Sequence, residues 1–288
     1  MATAYVLYNS HAGRGIYEDD LRALYVVIKD EISFVDVTDD VIYKKTLSSL
    51  KEEDYLIVCG GDGTLNRFVN FTDGMNIKNK IFYLPLGTGN DFAHDLGRLG
   101  GNTPFQVTDY LKELPTVEVN GKTFRFINGV GYGIDGYCCQ VGDEMKKKGK
   151  KKVNYTLIAI KGLLFHYRPT NAKVTVDGNS YSYKKVWLAP TMHGRYYGGG
   201  MIPTPNQKRN NEDGKLSLMV FYGAGKLRTL AVFPSIFKGE HVKHTNMVAI
   251  HEGREITVEF DRPSPLQIDG ETVLGVTKYR ACGNSKKD

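Results

Sequence analysis

An α/β domain with a mostly parallel sheet, followed by an antiparallel β-sandwich or barrel, is the fold this sequence predicts. Two observations carry that expectation. Short apolar runs alternate with helix-like stretches over the first third of the chain, and closely spaced hairpin signals take over after Pro115. Composition agrees: 288 residues, 41% hydrophobic and 24% charged, can fill one large core or two ordinary ones. The same figures exclude a disordered chain and a disulfide scaffold.

Residues 5–8, 32–37, 55–59 and 81–84 are apolar runs that read as buried strands. Between them, residues 18–29, 40–50 and 65–71 carry apolar side chains at helical spacing. Strand and helix in alternation build right-handed βαβ units and a mostly parallel sheet. Such sheets bind ligands past the carboxyl ends of their strands. The loops there are residues 9–15, 38–39, 60–64 and 86–91, and glycine is abundant in all but the second.

Beyond Pro115 the period changes. Residues 117–126 alternate around Asn120-Gly121, the strongest short hairpin signal. Residues 173–176 and 181–183 flank Asp177-Gly178-Asn179 in the same way. Further strands are expected at 185–189, 215–221, 255–260, 266–269 and 277–282, with helical stretches near 133–166 and 226–238. The boundary lies between about 111 and 116, which gives an α/β domain over 1–114 and a β domain over 115–288.

The formal charge of +6 is local. Lys146, Lys147, Lys148, Lys150, Lys151 and Lys152 account for all of it; without them 32 basic residues balance 32 acidic ones. A single cationic patch argues against wrapping of nucleic acid and for one anionic contact or a solvated loop. Cys59, Cys138, Cys139 and Cys282 form no C-x-x-C pair, so neither zinc nor a disulfide framework is indicated, and a reduced cytoplasm is expected. No apolar run approaches the ~20 residues of a membrane span.

Cys59-Gly60-Gly61-Asp62-Gly63-Thr64-Leu65-Asn66 joins a buried strand to a helix. Glycines let the backbone approach a ligand, and the helix N-terminus presents N–H groups to a phosphate. Asp62 would repel phosphate unless Mg²⁺ bridged them. A tight βα turn with Asp62 or Thr64 as cap explains the same residues. Asn9-Ser10-His11-Ala12-Gly13-Arg14-Gly15 and Pro85-Leu86-Gly87-Thr88-Gly89-Asn90-Asp91-Phe92 follow other strands in the same manner, which turns alone do not explain. Gly223-Ala224-Gly225-Lys226-Leu227 fails as a Walker A loop, and no G-x-G-x-x-G follows the first strand.

The ordered pair formed by Gly60–Thr64 and Pro85–Phe92 resembles the bacterial soluble diacylglycerol kinases and the wider lipid-kinase family that includes sphingosine and ceramide kinases. The likeness continues through Gly198-Gly199-Gly200-Met201, Pro205, Asp213-Gly214-Lys215-Leu216 and the closing Gln267-Ile268-Asp269-Gly270-Glu271. It spans nearly the whole chain. A lone G-G-D-G-T is shared with NAD kinases and phosphofructokinases; the ordered set is far more specific.

The resemblance implies an NAD-kinase-like nucleotide-binding α/β domain, a β-sandwich domain bearing substrate and catalysis, and an active site in the cleft between them. It implies ATP and Mg²⁺, with Asn9, Gly13, Arg14, Gly15, Thr38, Gly60, Gly61, Asp62, Gly63, Thr64, Asn66 and Thr88 at nucleotide-contacting positions. Asp269 matches the general base, with Glu271 in the same D-G-E element, and Asp62 would hold the catalytic Mg²⁺ or, in a competing assignment, be the base. Asn210, Asp213 and the Lys215 carbonyl match a structural Mg²⁺ site, Asn210 standing where a hydroxyl residue is usual. The implied reaction is transfer of the γ-phosphate to diacylglycerol or a similar lipid alcohol at the inner face of the cytoplasmic membrane, by a monomer or homodimer. Each lysine of the run near an anionic leaflet would contribute ~1 kcal/mol to docking there. The rivals are an NAD kinase, which lacks support because no Leu-Asn-Glu element is present, and a catalytically silent nucleotide-binding, membrane-docking module. Asp62 and Asp269 are both intact, which disfavours the silent module.

Overall fold

Continuous apolar runs need cover on both faces, and in the first unit they receive it from a parallel sheet. The computed structural model describes residues 2–10, 21–100, 103–150 and 153–284. The chain divides into two compact units, Met1–Glu113 and Leu114–Asp288. The first is built on β1 (Thr3–Tyr8), β2 (Glu31–Asp36), β3 (Tyr55–Gly60), β4 (Lys80–Pro85) and the short β5 (Phe105–Gln106). Their order is β2-β1-β3-β4-β5, with β1 to β4 parallel and β5 antiparallel on β4. Leu56, Ile57, Val58 and Cys59 are buried along β3, as a central parallel strand requires.

Helices Asp40–Ser48 and Asp62–Phe71 make the crossovers. The helix expected over 18–29 is described from residue 21, with Leu24–Val27 helical and Leu24 buried in the core. Strand order reverses between β1 and β3, the topological switch at which sheets of this kind open a crevice at their carboxyl ends.

The second unit holds a ten-stranded antiparallel sheet folded over as a sandwich. Its strands are β6 (Thr116–Val119), β7 (Lys122–Arg125), β8 (Gly129–Tyr132), β9 (Thr170–Val176), β10 (Asn179–Val186), β11 (Thr191–Met192), β12 (Leu216–Phe221), β13 (Val248–Gly253), β14 (Glu255–Ile268) and β15 (Glu271–Cys282). The first part of β14 pairs with β9 and its last part with β8, while β15 runs beside both. One long bent strand therefore serves both layers. Val117, Phe126, Val130, Val174, Leu218, Val258 and Leu266 fill the space between them.

Asn120 and Asp177 occupy the left-handed region at φ 50° and 46°, each followed by glycine, as their hairpins require. The strand expected at 185–189 does not form as such. Lys185 has φ 53° within an irregular stretch of β10, and Leu188 makes only isolated bridges to Gly133 and Phe221.

The helical stretch expected near 133–166 resolves into Ile134–Lys147, Tyr155–Lys161 and a π-helical turn at Gly162–His166. That near 226–238 is Lys226–Val232 continued by a 3₁₀ turn at Phe233–Lys238. They bury Ile134, Ile158, Leu163 and Ile236 around Trp187, whose indole N–H donates to the Ala224 carbonyl at 2.9 Å. No helix among the described residues is long and apolar enough to cross a membrane, and all four cysteines are free thiols.

Candidate active site

In the first unit two glycine loops are pressed together. A Cβ on Gly87 would fall inside van der Waals contact with the Gly61 backbone, and one on Gly60 would lie 2.5 Å from Thr64 Oγ1. The Leu86 N–H donates to the Gly60 carbonyl at 2.9 Å. Asn90, at φ 50°, closes its own loop by accepting from the Gly87 N–H at 2.9 Å and donating to the Gly87 carbonyl at 2.8 Å.

Asp62 ties the pair. Its Oδ2 accepts from the Asp91 N–H and its Oδ1 from the Phe92 N–H, both at 2.9 Å. The carboxylate therefore caps the short Asp91–Asp95 helix from a different loop. Tyr83 lies beneath, fully buried; burial and the nearby Asp62 charge push its hydroxyl well above the usual range, and its oxygen has no hydrogen-bond partner.

Of the other expected nucleotide contacts, Asn9, Thr38 and Thr88 follow the carboxyl ends of β1, β2 and β4. Asn9 is half-buried directly after β1. Thr38 follows β2, and its N–H donates to Asp36 Oδ1 at 3.0 Å. Asp36 also accepts from the Ser10 N–H at 3.3 Å and so joins the loops after β1 and β2. Burial raises the Asp36 carboxyl, but its bonds from Ser10 and Thr38 outweigh that and hold it below the usual range. Thr64 and Asn66 are buried on the Asp62–Phe71 helix, whereas Thr88 is exposed. Gly13, Arg14 and Gly15 lie outside the described residues, as do Lys151 and Lys152.

In the second unit Asp269 sits at the tip of the β14–β15 hairpin with φ 46°, followed by Gly270 at φ 95°. It is a hairpin residue and more than that. Its buried carboxylate accepts from the backbone N–H groups of Ile127 (2.5 Å), Asn128 (2.8 Å) and Gly129 (3.0 Å). Arg209, also buried, donates to the Ile127 carbonyl and, at 2.8 Å, to Asn128 Oδ1. Behind the turn, Gln267 donates to Asp135 Oδ2 at 2.8 Å and accepts from the Gly270 N–H at 2.6 Å. Glu271 opens β15 and is exposed, so it does not share the buried cradle of Asp269.

Residue composition alone gave no sign of Asp36, Asp135, Arg209 or Gln267. The Gly129-Val130-Gly131 run was the available signal: a Cβ at Gly131 would collide with the Asp135 carboxylate and the Gln267 amide.

In the expected structural-Mg²⁺ set the Asp213 carboxylate and the Lys215 carbonyl bond to protein partners. Asn210 and Asp213 are exposed, and the Asp213 carboxylate pairs with Lys215 Nζ at 3.1 Å. The Lys215 carbonyl accepts from Asn211 Nδ2 at 2.8 Å and Gln207 Nε2 at 3.1 Å, which uses both of its lone pairs. An amide clamp occupies the place where a metal ligand was expected. No group of three or more His, Cys, Asp or Glu among the described residues is arranged to hold a metal.

Comparison with known proteins agrees with this anatomy. Residues 3–119 match the diacylglycerol kinase catalytic domain, and residues 128–281 match the YegS C-terminal NAD kinase beta sandwich-like domain. The chain is similar to the diacylglycerol kinase of Bacillus subtilis, with 26% identity over 289 residues covering 94% of this chain and 90% of that one. It is also similar to the diacylglycerol kinase of Mycobacterium tuberculosis, with 28% identity over 201 residues, 67% of this chain and 63% of that one. A crystal structure of a diacylglycerol kinase from Bacillus anthracis shares the fold at TM-score 0.61 and 20% identity, over 98% of this chain and 94% of the other.

Proposed function

The chain belongs to the diacylglycerol kinase family of lipid kinases, and on that premise we propose that it transfers the γ-phosphate of ATP, delivered with Mg²⁺, to the hydroxyl of diacylglycerol or a similar lipid alcohol. The observation that carries this reading is the pair of interlocked glycine loops. Gly61 and Gly87 meet backbone to backbone, and Asp62 stitches the turn before one helix to the N-terminus of another. That construction presents backbone N–H groups at a sheet edge without side chains in the way, which is what a phosphate chain needs.

Phosphoryl transfer asks little covalent chemistry of a protein; positioning and charge neutralisation provide most of the rate. In this reading Gly60–Thr64 bear the nucleotide phosphates, with Asn9, Thr38, Asn66 and Thr88 around them. The Mg²⁺ arrives on the nucleotide as part of the substrate. Asp269 is the base that takes the hydroxyl proton. Three backbone N–H groups hold its two oxygens in one orientation.

The test is a phosphate-transfer assay with ATP and either diacylglycerol or NAD in parallel. Diacylglycerol is expected to be labelled and NAD is not. Asp269→Asn should lower kcat by about 10²–10⁴, the contribution of a positioned base. Full activity in that variant would remove Asp269 from the chemistry, and the same loss in Asp62→Asn alone would move the base to Asp62.

A further inference from the structure

We propose that the outer face of the 155–166 helical segment, joined by the start of the Lys226–Val232 helix, inserts into the headgroup layer of an anionic lipid bilayer. The cationic rim of this surface is Lys146, Lys147, Lys148, Lys150, Lys161 and Lys226. The proposal deepens the lipid-kinase reading and rests on it for the reason a bilayer is approached at all. The contact surface lies within the second unit.

The sequence of the segment has more apolar residues than the fold uses. Ile158, Ala159, Gly162 and Leu163 are buried in the core around Trp187. That stripe completes the packing. A second stripe points outward: Leu157, Ile160 and Phe165 are 47%, 38% and 72% exposed. Their spacing of three and five residues keeps them on one side across the π-helical turn. The neighbouring helix adds Leu227, 79% exposed, and is tied to this turn by Lys226 Nζ donating to the Leu164 carbonyl at 2.7 Å. An exposed apolar face on a helix that already has its core stripe marks an interaction surface.

Charge identifies the occupant. Residues 146–168 contain eight Lys or Arg and no Asp or Glu, and residues 226–238 contain three and again no acid. Lys146 Nζ lies over the Tyr155 ring, 5.9 Å from its centroid, so the lysine run meets the apolar helix directly. Apolar side chains flanked by cations suit an anionic leaflet, and Asp143, 3.9 Å from Lys146 Nζ, is an acid at the margin of that rim. A second copy docked on the same face by two-fold symmetry would set cation against cation. The lysine run thus acquires an apolar partner that the sequence assigned to the core alone.

The experiment sediments the intact protein with vesicles of phosphatidylcholine alone or with 30% phosphatidylglycerol. The Leu157→Ser/Phe165→Ser double variant should bind the anionic vesicles about tenfold more weakly at both low and high salt, because apolar insertion is not screened. A Lys146/147/148/150→Gln variant should lose a similar factor at low salt and nearly none at high salt. In Phe165→Trp the added indole should shift its emission to the blue on vesicles, against the constant background of buried Trp187. All three should phosphorylate detergent-dispersed diacylglycerol at the parental rate. Undiminished vesicle binding by the double variant overturns the proposal, as does a light-scattering dimer that this variant abolishes. Absence of lipid phosphorylation by the parent protein would instead overturn the lipid-kinase reading and leave the vesicle result to judge the surface.

Discussion

Single residues in the first unit have two duties that are hard to separate. Gly87 has an ordinary φ, so its need for glycine is steric: the Gly61 backbone occupies the place of its side chain. Gly87→Ala must push the two loops apart, an overpacking cost of about 1–3 kcal/mol, and should lower both Tm and affinity for ATP. Gly225→Ala is the matched control, since nothing lies within 4 Å of its Cβ position. Calorimetric melting and nucleotide titration of both variants decide it; equal behaviour would show that the loop contact does not matter. Asp62 carries the same double load, because its carboxylate is a helix cap whatever else it binds. Its place in G-G-D-G-T was legible in the sequence, whereas its bonds to Asp91 and Phe92 were not, since sequence spacing says nothing of which loop a side chain leans upon.

Secondary elements were legible where periodicity or turn chemistry was local and strong. The four parallel strands, the Asn120-Gly121 hairpin and the Asp177-Gly178 hairpin belong to this group. β8 and β14 were obscured, for opposite reasons. The sequence predicts separate strands at 255–260 and 266–269, with Pro263 and Pro265 between them, yet β14 runs through both because its pairing with β15 shifts register around Ser264, the irregularity that tolerates proline. β8 has glycine at two of its four positions, where Gly129 and Gly131 leave room for Met192, Asp135 and Gln267. The Asp269 cradle depends on that thinning. Gly131→Ala should therefore split the Asp135–Gln267 pair and release the hairpin turn that Gln267 holds through Gly270. We expect kcat to fall at least tenfold with KM for ATP nearly unchanged, because the altered strand lies in the second unit; an unchanged kcat would show that the cradle is not needed.

At the scale of the whole molecule, the described chain passes from its first unit to its second between Glu113 and Leu114. The second unit closes on itself. β15 lies on β6, with Cys282 opposite Thr116 and Tyr279 opposite Val119. Just beyond, the Gly283 N–H donates to the Arg254 carbonyl at 2.8 Å, and the Asn284 side-chain amide donates to the carbonyl of Leu114, the unit's first residue. Its ends are thus fastened to each other, and its sandwich core and its Trp187 cluster both lie wholly within 114–288. A unit of this size can bury a self-sufficient core. We predict that a fragment of residues 114–288 folds alone, with a cooperative thermal transition and a near-ultraviolet signal from buried Trp187. Ending the same fragment at residue 276 removes the β15–β6 pairing and the Leu114 fastening together, and should abolish that transition while leaving much of the far-ultraviolet strand signal. If the shortened fragment melts as the longer one does, the closure of the sandwich contributes nothing to its stability. If the longer fragment shows no cooperative transition, the second unit needs the first in order to fold.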